Sequence, residues 1–426
     1  MNILLFSDQY YPMGGAIEQY IRFLSEELTR KGNSISILTR AVDGLPDSNI
    51  ENSVTIIRRY ELNLVISNPG KTARKWRKLK NIVRDLKPDV IYANHHSSLI
   101  AIKIGKYLSI PVVYGCHGWG LLCPLKIRLI KPDGSLCYNQ RNVVDCQQCF
   151  NQMGVEVKRF PRILRYVKHQ ITKYVLIPRK VRQYSQYEQL LNTSEAKIGN
   201  SNLTTSLFDD MKTVYLGVDT DVYRKQSANA FRERFGINDQ YILVPGRIDK
   251  IKGQEWAIRA LSHLSPEYTL VIAGTSKLFS GSEDQHNSYL VHLKNMALEF
   301  GLDSRIIFTG LLERDELIQA YSGAVVTVVP SVWLESFGYV TAEAMACECP
   351  VVITDNCGSA ELITDEVDGC IVPRMNGFAI AEAVKKIAEK REAMGIFARD
   401  TVTKKLTWSY IADQVQDILT KAVETN

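Results

Sequence analysis

Short apolar runs alternate with helix-like segments along most of this chain, and this alternation restricts the fold more than any other feature. In the first half, runs of strand length occupy residues 3–6, 35–38, 90–93, 112–114 and 196–199. Apolar residues between them recur at helical spacing, an order typical of parallel β-α-β units. The pattern pauses at residues 212–223 and resumes at 241–244. We therefore predict an α/β chain with two doubly wound, Rossmann-like domains.

Length and composition agree with this fold and exclude several classes of protein. The chain has 426 residues, 45% hydrophobic and 23% charged, which suits two or three globular domains. Its 52 Lys and Arg against 46 Asp and Glu do not indicate a nucleic-acid partner. The first eight residues lack the basic start of a signal peptide, and no apolar run approaches the roughly 18 residues of a membrane span. We expect a cytoplasmic protein, free or at the inner face of the cell membrane.

Two glutamates, Glu335 and Glu343, have seven residues between them and directly follow an apolar strand. If a helix begins near Gly338, Glu335 precedes it and Glu343 lies about a turn and a half along it. The N–H groups of the first turn are unpaired and carry partial positive charge, which suits a phosphate. Carboxylates for hydroxyl groups and amides for phosphate would fit a sugar nucleotide. The alternative is that both are ordinary helix-start glutamates.

A second candidate element is the loop that follows the first strand of the second domain. It carries Arg247 and Lys252 between that strand and the next helix. In open α/β sheets, ligands bind at the carboxyl ends of the strands. Two cations at this place would neutralise a diphosphate, whereas the alternative is a solvated basic loop.

Glycines and histidines mark the strand ends of the first domain. Gly14 and Gly15 link the first strand to the first helix and would let a phosphate approach the backbone, although a plain tight turn is the alternative. His117 follows the strand at 112–114. His95 and His96 follow the strand at 90–93 and could line an acceptor side.

These segments together resemble the retaining glycosyltransferases of family 4. The resemblance rests on the two glutamates of 333–346, the Gly-Arg-x4-Lys-Gly pattern of 246–253, the glycine turn and the Gly-Cys-His-Gly of 115–118. It spans nearly the whole chain. It implies the GT-B fold, in which two Rossmann-like domains face a cleft. Residues 1–211 would form the acceptor-side domain and 212–405 the nucleotide-sugar domain, and a helix in 406–426 would return to the first domain.

The resemblance also implies the reaction and the roles of the residues. A hexose-type sugar would move from a UDP- or GDP-linked donor to a glycan or lipid-linked glycan with retention of configuration. Two cations would stabilise the leaving diphosphate, Glu335 the transferred sugar and Glu343 the ribose, without a catalytic cofactor and without a named nucleophile. The implied catalytic residues are Glu335, His117, Arg247 and Lys252, and the implied substrate contacts are Gly14, Gly15, Arg247, Lys252, Glu335, Ser336, Phe337, Gly338, Glu343 and Glu361.

Other functions remain as alternatives. A sugar-nucleotide epimerase or a glycan phosphorylase would use a related fold, and a non-catalytic protein could keep the donor site. An NTPase is weakly supported, because Val65 stands where the P-loop ending at 68–72 needs its first glycine. No G-x-G-x-x-G follows a strand, which disfavours an oxidoreductase.

Four of the nine cysteines, Cys123, Cys137, Cys146 and Cys149, fall within 27 residues. In a reducing compartment such a group favours a structural zinc ion over disulfides, although the spacing is not that of a standard zinc finger. Thiols without a metal are the alternative. A later group is expected to be small buried residues: Cys347, Cys349, Cys357 and Cys370.

Segment 158–182 has nine Lys or Arg and no Asp or Glu, interleaved with apolar residues. A basic amphipathic helix of this kind fits an anionic membrane surface, and segment 71–80 repeats the pattern. The alternative is a solvated helix face. We predict peripheral contact with the membrane, which would bring the protein to a lipid-linked acceptor.

Overall fold

The computed structural model describes residues 1–12, 15–67, 73–125, 137, 142–152, 162–276 and 283–425. The chain divides into two compact units, Met1–Val214 together with Ile411–Asn426, and Tyr215–Tyr410. Each unit is built on one largely or wholly parallel sheet, as the alternation of apolar runs predicts.

The first unit contains an eight-stranded sheet with the order β3-β4-β2-β1-β5-β6-β7-β8. Its strands are β1 (Asn2–Phe6), β2 (Ser34–Arg40), β3 (Ser48–Glu51), β4 (Val54–Arg59), β5 (Val90–Asn94), β6 (Val112–Cys116), β7 (Ala196–Gly199) and β8 (Met211–Thr213). Its helices are α1 (Ala16–Arg30), α2 (Tyr60–Ser67), α3 (Ala73–Leu86), α4 (Ser98–Leu108), α5 (Val143–Gln152), α6 (Arg162–Ile171), α7 (Ile177–Leu191) and α8 (Asn202–Thr205). A π-helical turn, Thr172–Leu176, connects α6 to α7.

Two details of this unit differ from the sequence prediction. Strands β3 and β4 run antiparallel, because Asn52 (φ 49°) and Ser53 (φ 64°) form a tight two-residue hairpin of the kind that needs left-handed backbone at both positions. Strand β8 then pairs with β7 and extends the first sheet. The first unit therefore continues to Val214, beyond the boundary expected at residue 211.

The strand pairings bring three loop starts to one edge of the first sheet. Strand β1 pairs in parallel with β5, and β5 pairs in parallel with β6. Parallel neighbours have their carboxyl ends at the same edge. Asp8, His95 and His117, which come directly after these strands, therefore lie at one edge. Helix α1 packs its apolar side, including Tyr20 and Leu24, into the core.

The second unit contains a six-stranded, fully parallel sheet with the order β11-β10-β9-β12-β13-β14. Its strands are β9 (Gln240–Pro245), β10 (Tyr268–Ala273), β11 (Ile306–Gly310), β12 (Val326–Val329), β13 (Val351–Thr354) and β14 (Gly369–Val372). Its helices are α9 (Asn229–Phe235), α10 (Gln254–Leu261), α11 (Glu283–Glu299), α12 (Arg314–Gly323), α13 (Tyr339–Ala346) and α14 (Gly377–Lys405). The last helix, α15 (Trp408–Glu424), returns to the first unit from Ile411 onward.

The core of the second unit lies between its sheet and the flanking helices. Branched aliphatic residues of β9, β10 and β12 pack there against α10 and α14. The later cysteine group is buried as expected: Cys347, Cys349, Cys357 and Cys370. Within the described ranges, every helix is too short or too polar to cross a membrane.

Candidate functional site

Lys252 and Glu335 form an ion pair in the second unit, between the loops that follow β9 and β12. The Nζ atom of Lys252 donates to Oε2 of Glu335 at 2.6 Å. Glu335 also accepts hydrogen bonds from Ser331 Oγ at 3.2 Å and from Trp333 Nε1 at 3.1 Å. Burial acts to raise the pKa of Glu335, but the charge and hydrogen bond of Lys252 outweigh it, so the pKa lies below its ordinary value. The carboxylate is therefore ionised.

A glycine lets these two loops approach each other. Gly253 has φ 72°, and a Cβ atom added to it would lie 1.9 Å from the carbonyl oxygen of Pro330. Next to it, the N–H of Val332 donates to the carbonyl oxygen of Ile251 at 3.0 Å. The loop that carries Lys252 can meet the Glu335 loop in this way only because position 253 has no side chain.

The segment at 357–362, which carries Glu361, also lies against Glu335. The N–H of Gly358 donates to the carbonyl oxygen of Glu335 at 2.9 Å, and that of Ser359 donates to the carbonyl oxygen of Phe337 at 3.1 Å. Gly338 (φ 97°) caps helix α13, so the helix begins where the sequence predicts. The loop that carries Gly253 and the loop that carries Gly358 thus both contact the segment that leads into α13. Ser336 and Gly338 are partly exposed there, and the Phe337 ring is buried.

Glu343 is buried inside α13 and bonds to tyrosines. Its Oε2 atom accepts a hydrogen bond from the hydroxyl group of Tyr321 at 3.0 Å, and the hydroxyl group of Tyr223 also bonds to this carboxylate. Burial raises the pKa of Glu343 above its ordinary value, and the two tyrosines act in the opposite direction. Glu343 is therefore bonded to tyrosine hydroxyl groups of its own unit, and its role toward a ribose stays a prediction.

Arg247 borders a pocket of about 290 Å³ at the carboxyl ends of β9, β10 and β11. Its Nη2 atom donates to Oδ2 of Asp249 at 2.8 Å, and its carbonyl oxygen accepts from Nε2 of Gln254 at 2.9 Å. Its Nε atom is buried and has no hydrogen-bond partner in the part of the chain that the structure describes. The guanidinium group is thus bonded to one carboxylate, and its Nε–H group can donate a hydrogen bond to a ligand.

The walls of this pocket are mostly apolar and partly backbone. Gly274 (φ 154°) forms part of the floor, where an added Cβ atom would lie 2.0 Å from the carbonyl oxygen of Gly246. The apolar lining comes from the strand ends and from α12 and α13, namely Ala273, Leu311, Leu312, Leu317 and Val340. An apolar pocket beside a cation suits a flat heterocycle that is joined to a phosphate.

Glu361 lies on the exposed side of the 357–362 loop. Its Oε2 atom accepts a hydrogen bond from the hydroxyl group of Tyr215 at 3.3 Å. In the first unit, Gly15 (φ 116°) caps α1, and a Cβ atom added there would meet no atom within 4 Å. Gly14 lies outside the described residues, so the glycine turn is described only at its second position.

His117 lies at the carboxyl end of β6 among aromatic residues. Its Nε2 atom is 2.9 Å from the hydroxyl oxygen of Tyr92, and its ring centroid is 4.4 Å from that of Tyr20. Burial, with a smaller effect from His95, lowers the pKa of His117 to about 3. The imidazole is therefore neutral at pH 7 and can act there as a hydrogen-bonding group.

His95 is held by Asp8, a residue that the sequence analysis does not single out. The Nδ1 atom of His95 lies 3.0 Å from Oδ2 of Asp8, and the other carboxylate oxygen accepts from the N–H of Ser97 at 3.3 Å. Burial acts to raise the pKa of Asp8, but the hydrogen bond and charge of His95 hold it below its ordinary value. The ring of His96 lies 4.4 Å from that of His95.

The four clustered cysteines lie near one another without forming a ligand cage. Cys123, Cys146 and Cys149 are buried and Cys137 is half-buried. Burial, with smaller effects from the other three thiols, raises the pKa of Cys146 to about 12. Across the described residues, no group of three or more His, Cys, Asp or Glu side chains is arranged to hold a metal ion. A zinc ion held by these thiols would therefore require their sulfur atoms to lie closer together.

Several partners of the predicted site residues were missed. Asp249 stands two positions after Arg247, and Ser331 and Trp333 lie in the segment that carries Glu335, so a local search for hydrogen-bonding side chains would have found them. Other missed partners come from distant parts of the chain and give no local signal, namely Asp8 for His95 and Tyr223 and Tyr321 for Glu343.

Two family models match this chain. The model for glycosyl transferases group 1 matches residues 226–401, and the model for glycosyltransferase family 4 matches residues 13–143. The first match contains Arg247, Lys252 and Glu335, and the second contains His117.

Curated relatives match about half of the chain. An uncharacterized glycosyltransferase of Methanocaldococcus jannaschii is 31% identical over 228 residues, which are 51% of this chain and 55% of the relative. The D-inositol 3-phosphate glycosyltransferase of Mycobacteroides abscessus is 30% identical over 214 residues, 49% of this chain and 46% of the relative. The matched region thus spans about half the length of these relatives.

Solved structures share the fold over the full length. Sucrose-phosphate synthase from Thermosynechococcus elongatus has 19% identity and a TM-score of 0.72, with 100% of both chains covered. HepE from Anabaena in complex with UDP has 19% identity and a TM-score of 0.69, with 99% of this chain and 100% of that chain covered. The family matches and the shared fold agree, and the chain therefore belongs to the family 4-like glycosyltransferases with the GT-B fold.

Proposed function

We propose that the protein transfers a hexose-type sugar from a nucleoside diphosphate to a glycan or lipid-linked glycan, with retention of configuration. The observation that carries this proposal is the arrangement in the second unit, where an apolar pocket with Arg247 at its border accompanies the pair of Lys252 and Glu335. The similar structures of Anabaena HepE are complexes with UDP, with UDP and glucose, and with UDP-glucose. They support a uridine-linked glucose donor as the first one to test.

The pocket and its cations suggest how the donor binds. The base would occupy the apolar pocket, and Arg247 and Lys252 would contact the diphosphate together with N–H groups at the amino end of α13. The ribose hydroxyl groups would reach Glu343 in place of the tyrosine hydroxyl groups that it now binds. Glu335 would accept from hydroxyl groups of the sugar.

The chemical step then depends on charge stabilisation. The bond between the anomeric carbon and the diphosphate oxygen breaks, and the electron pair leaves with that oxygen. Arg247 and Lys252 stabilise the negative charge that grows there, and Glu335 stabilises positive charge at the sugar. The acceptor oxygen bonds to the anomeric carbon on the face that the diphosphate leaves, and the proton of the acceptor hydroxyl group passes to an oxygen of the departing diphosphate. This route needs no protein nucleophile and no catalytic metal.

Two further features bear on partners. An exposed apolar helix face between basic side chains in α6 and α7 supports contact with an anionic membrane, and hence a lipid-linked acceptor. The neighbouring thiols of Cys123, Cys137, Cys146 and Cys149 support a structural zinc ion, which would need the four sulfur atoms to converge. Zinc would fix the local fold and has no part in the transfer step.

Calorimetric titration with UDP, GDP and ADP, with and without a chelator, tests the donor site. We expect selective binding of one diphosphate, loss of that binding in Arg247→Ala, and no change in the control Lys404→Ala on the exposed side of α14. Failure of all three to bind would contradict the proposal. Product analysis with the matching sugar nucleotide then separates transfer from an epimerase, a phosphorylase and a non-catalytic binder.

A further inference from the structure

Asp249 makes two hydrogen bonds within the loop that carries Arg247 and Lys252. Its Oδ2 atom accepts from Nη2 of Arg247 at 2.8 Å. Its Oδ1 atom accepts from the N–H of Ile251 at 3.2 Å, and this bond caps the short 3₁₀ helix Lys250–Lys252. One carboxylate therefore contacts the side chain of the first cation and the backbone of the turn that presents the second.

The backbone around Arg247 is fixed to the sheet, whereas its side chain depends on a separate contact. The N–H of Gly246 donates to the carbonyl oxygen of Ala273 at 2.8 Å, and that of Ile248 donates to the carbonyl oxygen of Thr275 at 3.1 Å. The Cα atom between them thus has little freedom. The side chain has several rotatable bonds, and its hydrogen bond to the neighbouring carboxylate selects where the guanidinium group lies at the border of the pocket.

The turn that presents Lys252 is fixed on two sides. Its N–H donates to the carbonyl oxygen of Asp249 at 2.8 Å, which closes the turn together with the side-chain cap. On the other side, the carbonyl oxygen of Ile251 accepts from the N–H of Val332 at 3.0 Å. From this turn Nζ of Lys252 reaches Glu335 at 2.6 Å. The cap thus belongs to the set of bonds that fixes the second cation.

Charge alone does not account for a carboxylate at this place. Arg247 and Lys252 carry two positive charges. Asp249 and Glu335, their ion-pair partners, carry two negative charges, so the four side chains together have no net charge. The side chains of Arg247 and Asp249 are each 27% exposed, and an ion pair of that exposure adds little to stability. What the contact provides is a fixed direction for the guanidinium group, and preorganised charge is what stabilises a leaving group.

We propose that Asp249 is the positioning residue of both cations. Its Oδ2 atom orients Arg247, and its Oδ1 atom holds the turn that presents Lys252. This inference rests on the proposed function, in which both cations contact the diphosphate. In this role Asp249 touches neither the donor nor the reacting atoms and takes no proton. The two cations meet the diphosphate without rearranging first, so the contribution of Asp249 appears in the rate of transfer and in the affinity for the diphosphate.

The substitutions Asp249→Asn and Asp249→Ala separate the two bonds. Asparagine caps as well as aspartate and keeps an oxygen for the N–H of Ile251, but it turns an amide nitrogen, a donor, toward Arg247. Asp249→Asn should keep the urea unfolding midpoint, weaken diphosphate binding about two- to tenfold and lower kcat about 10²-fold, the scale for a group misplaced by about 1 Å. Alanine loses both bonds and should lower kcat further. Tighter diphosphate binding and unchanged kcat in Asp249→Asn would show that only the negative charge matters and would overturn the proposal.

Variants that lack one cation test whether Asp249 acts through it. In Arg247→Ala, Asp249→Asn should not lower kcat/KM further, because no guanidinium group remains to be positioned. In Lys252→Met, the additional loss in Asp249→Ala over Asp249→Asn should disappear. Effects as large in these variants as in the wild type would assign Asp249 to the fold alone and would also overturn the proposal.

Asp365→Asn is the matched control on the exposed surface of the same unit. The Oδ1 atom of Asp365 also accepts from a backbone N–H group, that of Ile371 at 2.9 Å. Asp365→Asn should bind the diphosphate and turn over as the wild type does. Wild-type protein that binds none of UDP, GDP and ADP would overturn the proposed function. Wild-type protein that binds one of them and transfers sugar, with Asp249→Asn equal to it in both, would overturn only the role of Asp249.

Discussion

The ammonium group of Lys252 lies 2.6 Å from a carboxylate oxygen of Glu335, and the two residues are 83 positions apart in the chain. Neither partner is free to move independently, because Ser331 and Trp333 also bond to the same carboxylate oxygen. The two charges that the proposed reaction assigns to the leaving group and to the sugar are thus joined before the donor binds.

We expect Lys252 and Glu335 to behave as one unit in catalysis. Lys252→Met and Glu335→Gln should each lower kcat about 10²–10³-fold, the scale for losing one preorganised charge. The double variant should be little worse than either single variant, because residues that act together are not additive. Steady-state rates measure this coupling.

The exposed ion pair of Lys386 and Glu366 is the control for these single and double variants. Its Nζ and Oε1 atoms lie 2.5 Å apart on the surface of the same unit. Lys386→Met and Glu366→Gln should leave the rates unchanged. Independent effects of Lys252→Met and Glu335→Gln, multiplying in the double variant, would show that the ion pair is not a functional unit.

Gly253 offers a test of the loop approach that brings this pair together. Gly253→Ala would place a Cβ atom 1.9 Å from the carbonyl oxygen of Pro330, so the loops must separate. We expect a loss of about 2–4 kcal/mol in the free energy of unfolding and weaker diphosphate binding. Urea unfolding and calorimetry measure the two effects.

Gly236→Ala is the matched control for Gly253→Ala. Gly236 also has positive φ, at 63°, but nothing lies within 4 Å of an added Cβ atom. Gly236→Ala should therefore lower the free energy of unfolding only by the cost of left-handed backbone, about 1 kcal/mol. Diphosphate binding should not change. Equal effects of the two substitutions would mean that backbone strain, rather than the contact with Pro330, accounts for the requirement at position 253.

The sequence was sufficient for the fold class because apolar runs of strand length alternate regularly with helical segments along the chain. It was not sufficient for β3 and β8, since Ser48–Glu51 and Met211–Thr213 are short and largely polar and gain their strand conformation from neighbours. The hairpin turn at Asn52 and Ser53 also lacks the glycine that usually marks such a turn.

The candidate site, like the fold, was predictable from the sequence only in part. The cations and glutamates of the second unit stand in local patterns, so their residue types and spacing indicate a phosphate and hydroxyl ligand. The bond of Asp8 to His95 joins residues 87 positions apart, and that of Tyr321 to Glu343 joins two helices. Such contacts depend on the order of strands and the packing of helices, which spacing along the chain does not give.

The cysteine cluster leads to a prediction about metal content. We expect about one zinc ion per chain in protein purified under reducing conditions, lost in Cys146→Ser, because zinc favours four thiolate ligands. Cys370→Ser, a buried cysteine of the second unit, should keep the metal. Elemental analysis measures the metal, and thiol titration in denaturant counts the free cysteines. Wild-type protein without zinc and with all thiols free would contradict the zinc proposal.

The last prediction concerns the apolar face formed by α6, the π-helical turn and the start of α7. Five large apolar side chains are exposed there, Val167, Ile171, Tyr174, Val175 and Leu176. Spacings of four, three and one place the first four on one side of a helix. Basic residues stand in the same segment, namely Lys168, Lys173, Arg179 and Lys180, and Nζ of Lys173 lies 5.0 Å from the centroid of the Tyr174 ring. An apolar face edged by cations fits the boundary between acyl chains and anionic headgroups.

We expect the protein to float with vesicles of phosphatidylcholine and phosphatidylglycerol, and much less with phosphatidylcholine alone. Binding should weaken with salt, because each cation contributes about 1 kcal/mol near an anionic surface. Ile171→Asp and Val175→Asp should reduce binding at least tenfold while diphosphate binding is retained. Ile396→Asp, on an exposed position of α14, is the control and should float as the wild type does. Flotation that does not depend on the anionic lipid, or that is unchanged in both aspartate variants, would contradict the membrane proposal. This face would then be a solvated surface, and the protein would reach its acceptor in another way.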